Sequence, residues 1–234
     1  MSGLTRGEEI AEGLRAVEER VSEACRTAGR NRSEVALIAV TKTYPASDVR
    51  ILAGLGVLDV AENRAQEAAG KAEECAGLPL TWHFVGQLQT NKARLVAAHA
   101  SVIHSVDRPR LVTALSAAAA HEERELRCLV QVALDDHPER GGARTADVPA
   151  VAEAIAKAEG LRLGGVMAVA PLGEEPGAAF ARLHAIALAV RADHPEATII
   201  SAGMSGDLGE AIANGATHLR IGTALLGRRK PFVR

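Results

Sequence analysis

The feature that most constrains this chain is a series of short apolar runs, each followed by a stretch with helical character. The first run, residues 35–40 (VALIAV), contains no polar residue, so a strand formed there would be apolar on both faces. Strands of this kind are typical of a parallel sheet whose faces are covered. Similar runs recur at 57–60, 81–85, 102–104, 126–132, 163–167, 197–200 and 218–221.

Helical stretches lie between these runs, at 62–76, 107–121, 147–158, 177–192 and 206–213. Another helix precedes the first strand: Thr5 and Glu8 have capping-box spacing, and an amphipathic pattern continues to about Gly29. Eight strands in about 200 residues leave about 25 residues per βα unit. We therefore predict an α/β fold, a single (β/α)8 TIM-type barrel over residues 1–234. The N-terminal helix (1–30) would pack outside it, and no C-terminal β-domain is expected. A doubly wound open sheet is the alternative, because periodicity does not show closure.

Composition excludes several classes of protein. The chain has 234 residues, with 27 Lys plus Arg against 29 Asp plus Glu, which argues against a nucleic-acid-binding role. Its 47% hydrophobic content excludes intrinsic disorder, yet no apolar run is long enough to cross a membrane. No signal peptide is visible, and Cys25, Cys75 and Cys128 lack the spacing of a zinc site or a disulfide framework. A cytoplasmic location is the resulting expectation, and a monomer is expected separately.

In a barrel, functional groups follow the carboxyl ends of the strands. Lys42 follows the first predicted strand, separated from it by Thr41 alone. Partial burial of its stem would lower the pKa of its amine, and a neutral amine can form a Schiff base with an aldehyde. A solvated lysine without chemical function is the competing interpretation.

Two glycine-containing segments follow the last two predicted strands, 201–207 (SAGMSGD) and 220–224 (RIGTA). Each combines glycine, a hydroxyl and the start of a helix, which is typical of a phosphate site at this place in a barrel. A Schiff-base lysine facing such a site would hold pyridoxal 5′-phosphate. Arg220 could lie near the pyridine nitrogen or form a salt bridge at the barrel floor. If it faces the mouth, Arg220→Ala should weaken cofactor retention without unfolding the chain.

For each of three further residues near strand ends, two roles are considered. Asn63 could bond to a ring hydroxyl or cap a helix, and His83 could contact a ligand or lie satisfied in the core. Met167 could line the site or only pack beneath it.

The motifs at these positions resemble the pyridoxal-phosphate homeostasis protein family, single-domain relatives of the alanine racemase barrel. They occur in order at 39–42 (AVTK), 62–67 (ENRAQE), 83–92 (HFVGQLQTNK), 105–107 (SVD), 203–207 (GMSGD) and 220–227 (RIGTALLG). The resemblance implies a covalent aldimine between pyridoxal phosphate and Lys42. It also implies that Ser205, Gly222 and Thr223 hold the phosphate and that Arg220 faces the ring nitrogen.

The resemblance also implies a function, namely intracellular storage, delivery or regulation of the cofactor without established turnover. Apo-forms of enzymes that use pyridoxal phosphate would be its partners. The chain departs from the family pattern at Ala61, Arg64, Ala133 and Arg140. A small racemase or lyase is the alternative, and a cofactor-free sugar-phosphate isomerase with Glu62 as its base is a third hypothesis. The basic tail 228–234 is interpreted as a solvated end or a contact site.

Overall fold

The structure is a computed structural model that describes residues 4–135 and 141–227. Arg140 and the basic tail 228–234 lie outside the described residues. The strands are β1 (Ala36–Val40), β2 (Asp59–Glu62), β3 (Thr81–Phe84), β4 (Val102–Val106), β5 (Leu126–Gln131), β6 (Leu161–Met167), β7 (Ile199–Ser201) and β8 (His218–Ile221).

All neighbouring strands are parallel, and they close into a barrel in the order β1 to β8. Closure is made by β1, in which Ala39 pairs with Val60 of β2 on one side and with Ile221 of β8 on the other. The predicted barrel is therefore confirmed and the open sheet is excluded. Closure places the loops after β1, β7 and β8 side by side at the carboxyl edge.

The described helices are α1 (Arg6–Thr27), α2 (Ala46–Gly54), α3 (Ala65–Glu74), α4 (Ala93–Ala97), α5 (Pro109–His121), α6 (Val148–Lys157), α7 (Pro176–Asp193), α8 (Leu208–Ala213) and α9 (Thr223–Leu226). Two of them, α2 and α4, were not predicted, whereas α9 begins at the glycine segment 220–224, where a helix start was expected. The buried face of α2 includes Asp48, whose carboxylate pairs with Arg6 at 2.6 Å, so its apolar periodicity is weak. The second strand also extends two residues further than predicted and includes Glu62.

Side chains alternate between two apolar regions. Along β1, Ala39 belongs to the large core between strands and helices, whereas Ile38 and Val40 form a separate cluster with Ala61. Since successive strand residues point to opposite faces, Ile38 and Val40 face the barrel interior. By the same argument His83 faces the interior, because its neighbours Trp82 and Phe84 belong to the outer core.

Helix α1 packs outside the barrel through Ile10, Val17, Val21 and Cys25, all buried. Its capping box is present, as the spacing of Thr5 and Glu8 predicted. Across the described residues, none of the helices combines the length and the apolar character needed to span a membrane.

Candidate functional site

Lys42 lies at the carboxyl edge of the barrel, in the turn that follows β1. It lines a cavity of about 310 Å³ together with Gly222 and Thr223, which follow β8. Tyr44 lines the same cavity and donates its phenolic hydrogen to the Gly227 carbonyl at 2.6 Å. The geometry thus brings the predicted lysine and one of the two glycine segments to one place.

The burial expected for the stem of Lys42 is not found, because this side chain is exposed. The stretch 41–43 is instead fixed through its neighbours. Thr43 has φ of +72°, an uncommon value for a β-branched residue, and its backbone N–H donates to the Glu67 carboxylate. Lys71 Nζ donates to the Thr41 carbonyl at 2.6 Å. The backbone on both sides of Lys42 is therefore anchored to α3.

The anchoring group is a buried cluster that we call the α3 clamp: Glu62, Glu67 and Lys71. Lys71 Nζ donates to Glu62 Oε1 at 2.7 Å and to Glu67 Oε1 at 2.8 Å, and Thr41 Oγ1 donates to Glu62 Oε1 at 2.6 Å. Sequence reasoning missed Lys71 and Glu67, although the i, i+4 spacing of the two residues was a signal for an ion pair.

Burial dominates the electrostatics of Glu62, which is 0% exposed and whose second carboxylate oxygen has no partner. Desolvation raises the pKa of Glu62 despite the hydrogen bonds from Lys71 and Thr41. Burial also acts to raise the pKa of Glu67, but the hydrogen bonds from Lys71 and the Thr43 backbone outweigh it and lower that pKa. Because Glu62 is enclosed and engaged in the clamp, the geometry does not favour it as the base of an isomerase.

The loops after β7 and β8 contact each other. The Ala224 N–H donates to Ser205 Oγ at 3.3 Å, so the hydroxyl hydrogen of Ser205 can still be donated to a ligand. Arg20 of α1 donates to the Ser205 carbonyl at 2.7 Å. A Cβ on Gly222 would lie 3.2 Å from the Val40 carbonyl oxygen, so a larger residue would crowd the turn. The two predicted phosphate segments are thus neighbours in the structure.

Asn63 follows β2 at the same edge, and its side-chain oxygen is buried without a partner. Its backbone lies against Gly86, where an added Cβ would be 2.0 Å from the Asn63 carbonyl oxygen. The structure gives Asn63 no capping bond, since the residue before α3 is Arg64.

We expect Gly86→Ala to destabilise the protein by about 1–3 kcal/mol, because the methyl group can be accommodated only if the Asn63 backbone moves. Urea unfolding would measure this change. The matched control is Gly70→Ala in α3, where an added Cβ meets nothing within 4 Å. This control should stabilise by about 0.5–1 kcal/mol. Equal stability of the two variants would contradict the close contact at Gly86.

Arg220 is buried in the barrel interior, with 5% of its surface exposed. It donates through Nη1 to Ser201 Oγ at 2.7 Å and through Nη2 to the Ala168 carbonyl at 2.8 Å. Burial lowers the pKa of Arg220 to about 10, against the opposing charge of Asp207. These acceptors are neutral, so the salt-bridge alternative is not what the geometry shows.

The expectation that Arg220→Ala leaves the fold intact is therefore revised. Loss of this side chain leaves the buried Ala168 carbonyl without its guanidinium donor and opens a cavity, which should cost about 2–4 kcal/mol. Thermal denaturation measures the effect, and Arg162→Ala on the exposed side of β6 is the control. An unchanged melting temperature for Arg220→Ala would contradict the buried placement.

His83 and Met167 are buried and do not line the Lys42 cavity. Both ring nitrogens of His83 are engaged, Nδ1 with His104 Nε2 at 2.8 Å and Nε2 with Asp59 Oδ1 at 2.9 Å. The geometry therefore favours a core histidine with both ring nitrogens satisfied over a histidine that contacts a ligand. Met167 packs in the interior with Leu129 and Ile199 and is 2% exposed.

Comparisons with known proteins agree with this architecture. Residues 13–230 match the family described as alanine racemase, N-terminal domain. The pyridoxal phosphate homeostasis proteins of Pseudomonas aeruginosa and Mycobacterium bovis are 43% and 42% identical to the chain. The first match covers 94% of this chain and 96% of the relative, and the second covers 96% and 95%.

Among solved structures, PipY of Synechococcus elongatus with pyridoxal phosphate bound has a TM-score of 0.78 and 36% identity. That match covers 88% of this chain and all of PipY. An alanine racemase of Clostridium difficile, with a TM-score of 0.73 and 13% identity, shares the fold; the match covers 97% of this chain and 58% of the racemase. The chain therefore belongs to the alanine racemase N-terminal domain family and, within it, to the pyridoxal phosphate homeostasis proteins.

Proposed function

We propose that this protein binds pyridoxal 5′-phosphate at the carboxyl edge of the barrel and acts in the homeostasis of that cofactor by storage, delivery or regulation. The observation that carries the proposal is the shared cavity of Lys42, Gly222 and Thr223. The names of the relatives and the cofactor bound to PipY support it.

The residues present fit the cofactor in two respects. The cavity offers an amine on one wall and, on the other, a glycine turn that opens α9, where the Thr223 N–H and the Ser205 hydroxyl held by the Ala224 N–H suit a phosphate. Next to this edge, the buried oxygen of Asn63 has no partner, so a hydroxyl donor on a ligand would satisfy it.

We assign roles to the site residues on this basis. Lys42 Nζ would form a Schiff base with the cofactor aldehyde, with loss of one water. Ser205, Gly222 and Thr223 would bind the phosphate, and Asn63 would contact the ring substituents. Arg220 would face the ring nitrogen from below. When bound, the cofactor supplies an electrophilic aldehyde, and the α3 clamp keeps the turn that bears Lys42 in place.

The decisive experiment is incubation with pyridoxal phosphate, reduction with borohydride, intact mass measurement and peptide mapping. We expect one reduced adduct, located on Lys42. Absence of any adduct together with no absorbance change on titration would overturn the proposed function. Exchange of the α-proton of alanine or serine for deuterium at catalytic rates would instead favour the racemase or lyase alternative.

The remaining expectations belong to the same proposal: one domain over residues 1–234, a cytoplasmic monomer, and transfer of the cofactor to apo-enzymes. Sedimentation measures the mass of the protein. Transfer is measured as recovery of activity by an apo-enzyme mixed with the loaded protein, compared with the free cofactor at the same concentration.

A further inference from the structure

A line of polar side chains crosses the barrel interior below the Lys42 cavity. We call it the interior network: Asp59, His83, His104, Ser201 and Arg220. Its four hydrogen bonds join Asp59 to His83 at 2.9 Å, His83 to His104 at 2.8 Å, His104 to Ser201 at 2.9 Å and Arg220 to Ser201 at 2.7 Å. The members come from five different strands, β2, β3, β4, β7 and β8.

The two ends of the interior network differ in character. Asp59 is the first residue of β2, at the amino-end mouth of the barrel, and its side chain is 41% exposed. Arg220 is the penultimate residue of β8 and is buried, as are His83, His104 and Ser201. The network therefore connects the solvent at one mouth to the arginine beneath the opposite mouth.

When each histidine carries one ring hydrogen, the donors and acceptors permit one consistent direction. Arg220 has only donors, so Ser201 Oγ must accept from it, and the Ser201 hydroxyl can then donate to His104 Nδ1. His104 Nε2–H would donate to His83 Nδ1, and His83 Nε2–H would donate to the Asp59 carboxylate. In this arrangement each histidine carries its hydrogen on Nε2.

The surroundings favour this arrangement. Burial keeps the pKa of His104 well below its usual value, and His83, Arg220 and His218 act in the same sense. The hydrogen bond from His83 lowers the pKa of Asp59. His218, the first residue of β8, lies at the same end of the barrel as Asp59. Burial lowers the pKa of His218 to about 4, and His83 and Arg127 of β5 also lower it. Burial and the neighbouring positive charges therefore favour a neutral His104.

We propose that the interior network is a directed series of hydrogen bonds that orients Arg220 toward the cofactor ring, and that Asp59 at the far mouth is its terminal positioning residue. This inference rests on the proposed function, because it assigns Arg220 to the ring nitrogen. The inference goes further than that function, because Asp59 at the amino-end mouth then influences the electronic environment of the cofactor at the carboxyl edge.

The direction of the hydrogen bonds is tested first on the ligand-free protein, so that the result does not depend on the cofactor. Long-range ¹H–¹⁵N NMR distinguishes the two tautomers of neutral histidine and the protonated form. We expect His83 and His104 as Nε2–H tautomers, with no titration of His104 between about pH 6 and pH 8. A hydrogen on Nδ1 of either residue, or protonation of His104 in this range, would overturn the proposal.

The link to the cofactor is tested with Asp59→Asn, which keeps the shape of the side chain and removes its charge. The probe is pyridoxal phosphate itself, and the measurement is the absorption band of the bound cofactor as a function of pH. We expect a shift of the band or of its pH midpoint, the latter by at least ~0.5 unit, because the terminal acceptor of a coupled series is weakened.

The matched control is Asp193→Asn, an exposed aspartate at the end of α7 on the same side of the barrel. Identical spectra and midpoints for the two variants would overturn the role of Asp59. If wild type fails to bind the cofactor, the proposed function fails, whereas the NMR result still decides the hydrogen-bond direction. If Asp59→Asn does not fold, the wild-type tautomers alone decide the proposal.

Discussion

Lys42→Ala should abolish the borohydride-trapped adduct with pyridoxal phosphate while leaving the melting temperature close to that of wild type. The side chain is exposed, so its removal costs little stability. The amine also shares its cavity with the glycine turn after β8, and no other lysine in residues 4–135 or 141–227 lines that cavity. Intact mass after reduction measures the loss, and circular dichroism confirms the fold.

Lys157→Ala is the matched control for this experiment. Lys157 is an exposed lysine on α6 that pairs with Glu153 at 2.7 Å. This variant should keep the full adduct. If Lys42→Ala retains the adduct and peptide mapping moves it to another lysine, the assignment of Lys42 is wrong although the protein binds the cofactor. If the adduct is lost in both variants, covalent trapping is not specific to the cavity.

The barrel and the position of Lys42 could be predicted from sequence because both depend on local patterns. Unbroken apolar runs such as 35–40 identify strands, and their spacing limits the number of βα units. Residues within one or two positions after such a run lie at the carboxyl edge, and this places Lys42 and Gly222 there. Strand number made a closed barrel the preferred prediction over an open sheet, and the structure confirms it.

The α3 clamp and the interior network could not be predicted in the same way. The partners of Lys71 include Thr41, thirty positions away along the chain, and His104 meets Ser201 at a separation of 97 residues. Such pairs depend on how far each strand is displaced along the barrel, and hydrophobic patterns do not define this displacement to one residue. Single polar residues between apolar ones, as at Trp82-His83-Phe84, were the available signal for an interior polar group.

Lys71→Met should destabilise the protein by about 3–5 kcal/mol at neutral pH, since the substitution leaves the buried Glu62 carboxylate without its cation. The methionine retains most of the volume of the lysine, so loss of the charge rather than a cavity dominates the effect. Urea unfolding gives the free energy, and Lys157→Met is the exposed control. The double variant Lys71→Met/Glu62→Gln should recover part of the loss, because no buried carboxylate then remains at position 62.

The pH dependence of this variant separates a charge effect from a packing effect. Burial already raises the pKa of Glu62 in the folded protein, and a carboxyl group with a raised folded pKa loses stability as pH rises through that value. Removal of Lys71 raises the pKa of Glu62 further. Glu67 also loses its ion pair with Lys71, which raises the pKa of Glu67 as well. The destabilisation should therefore grow from pH 5 to pH 8, by up to about 1.4 kcal/mol per pH unit for Glu62 until its folded pKa is reached. A destabilisation of the same size at both pH values would show that Lys71 stabilises the turn of Lys42 through packing alone.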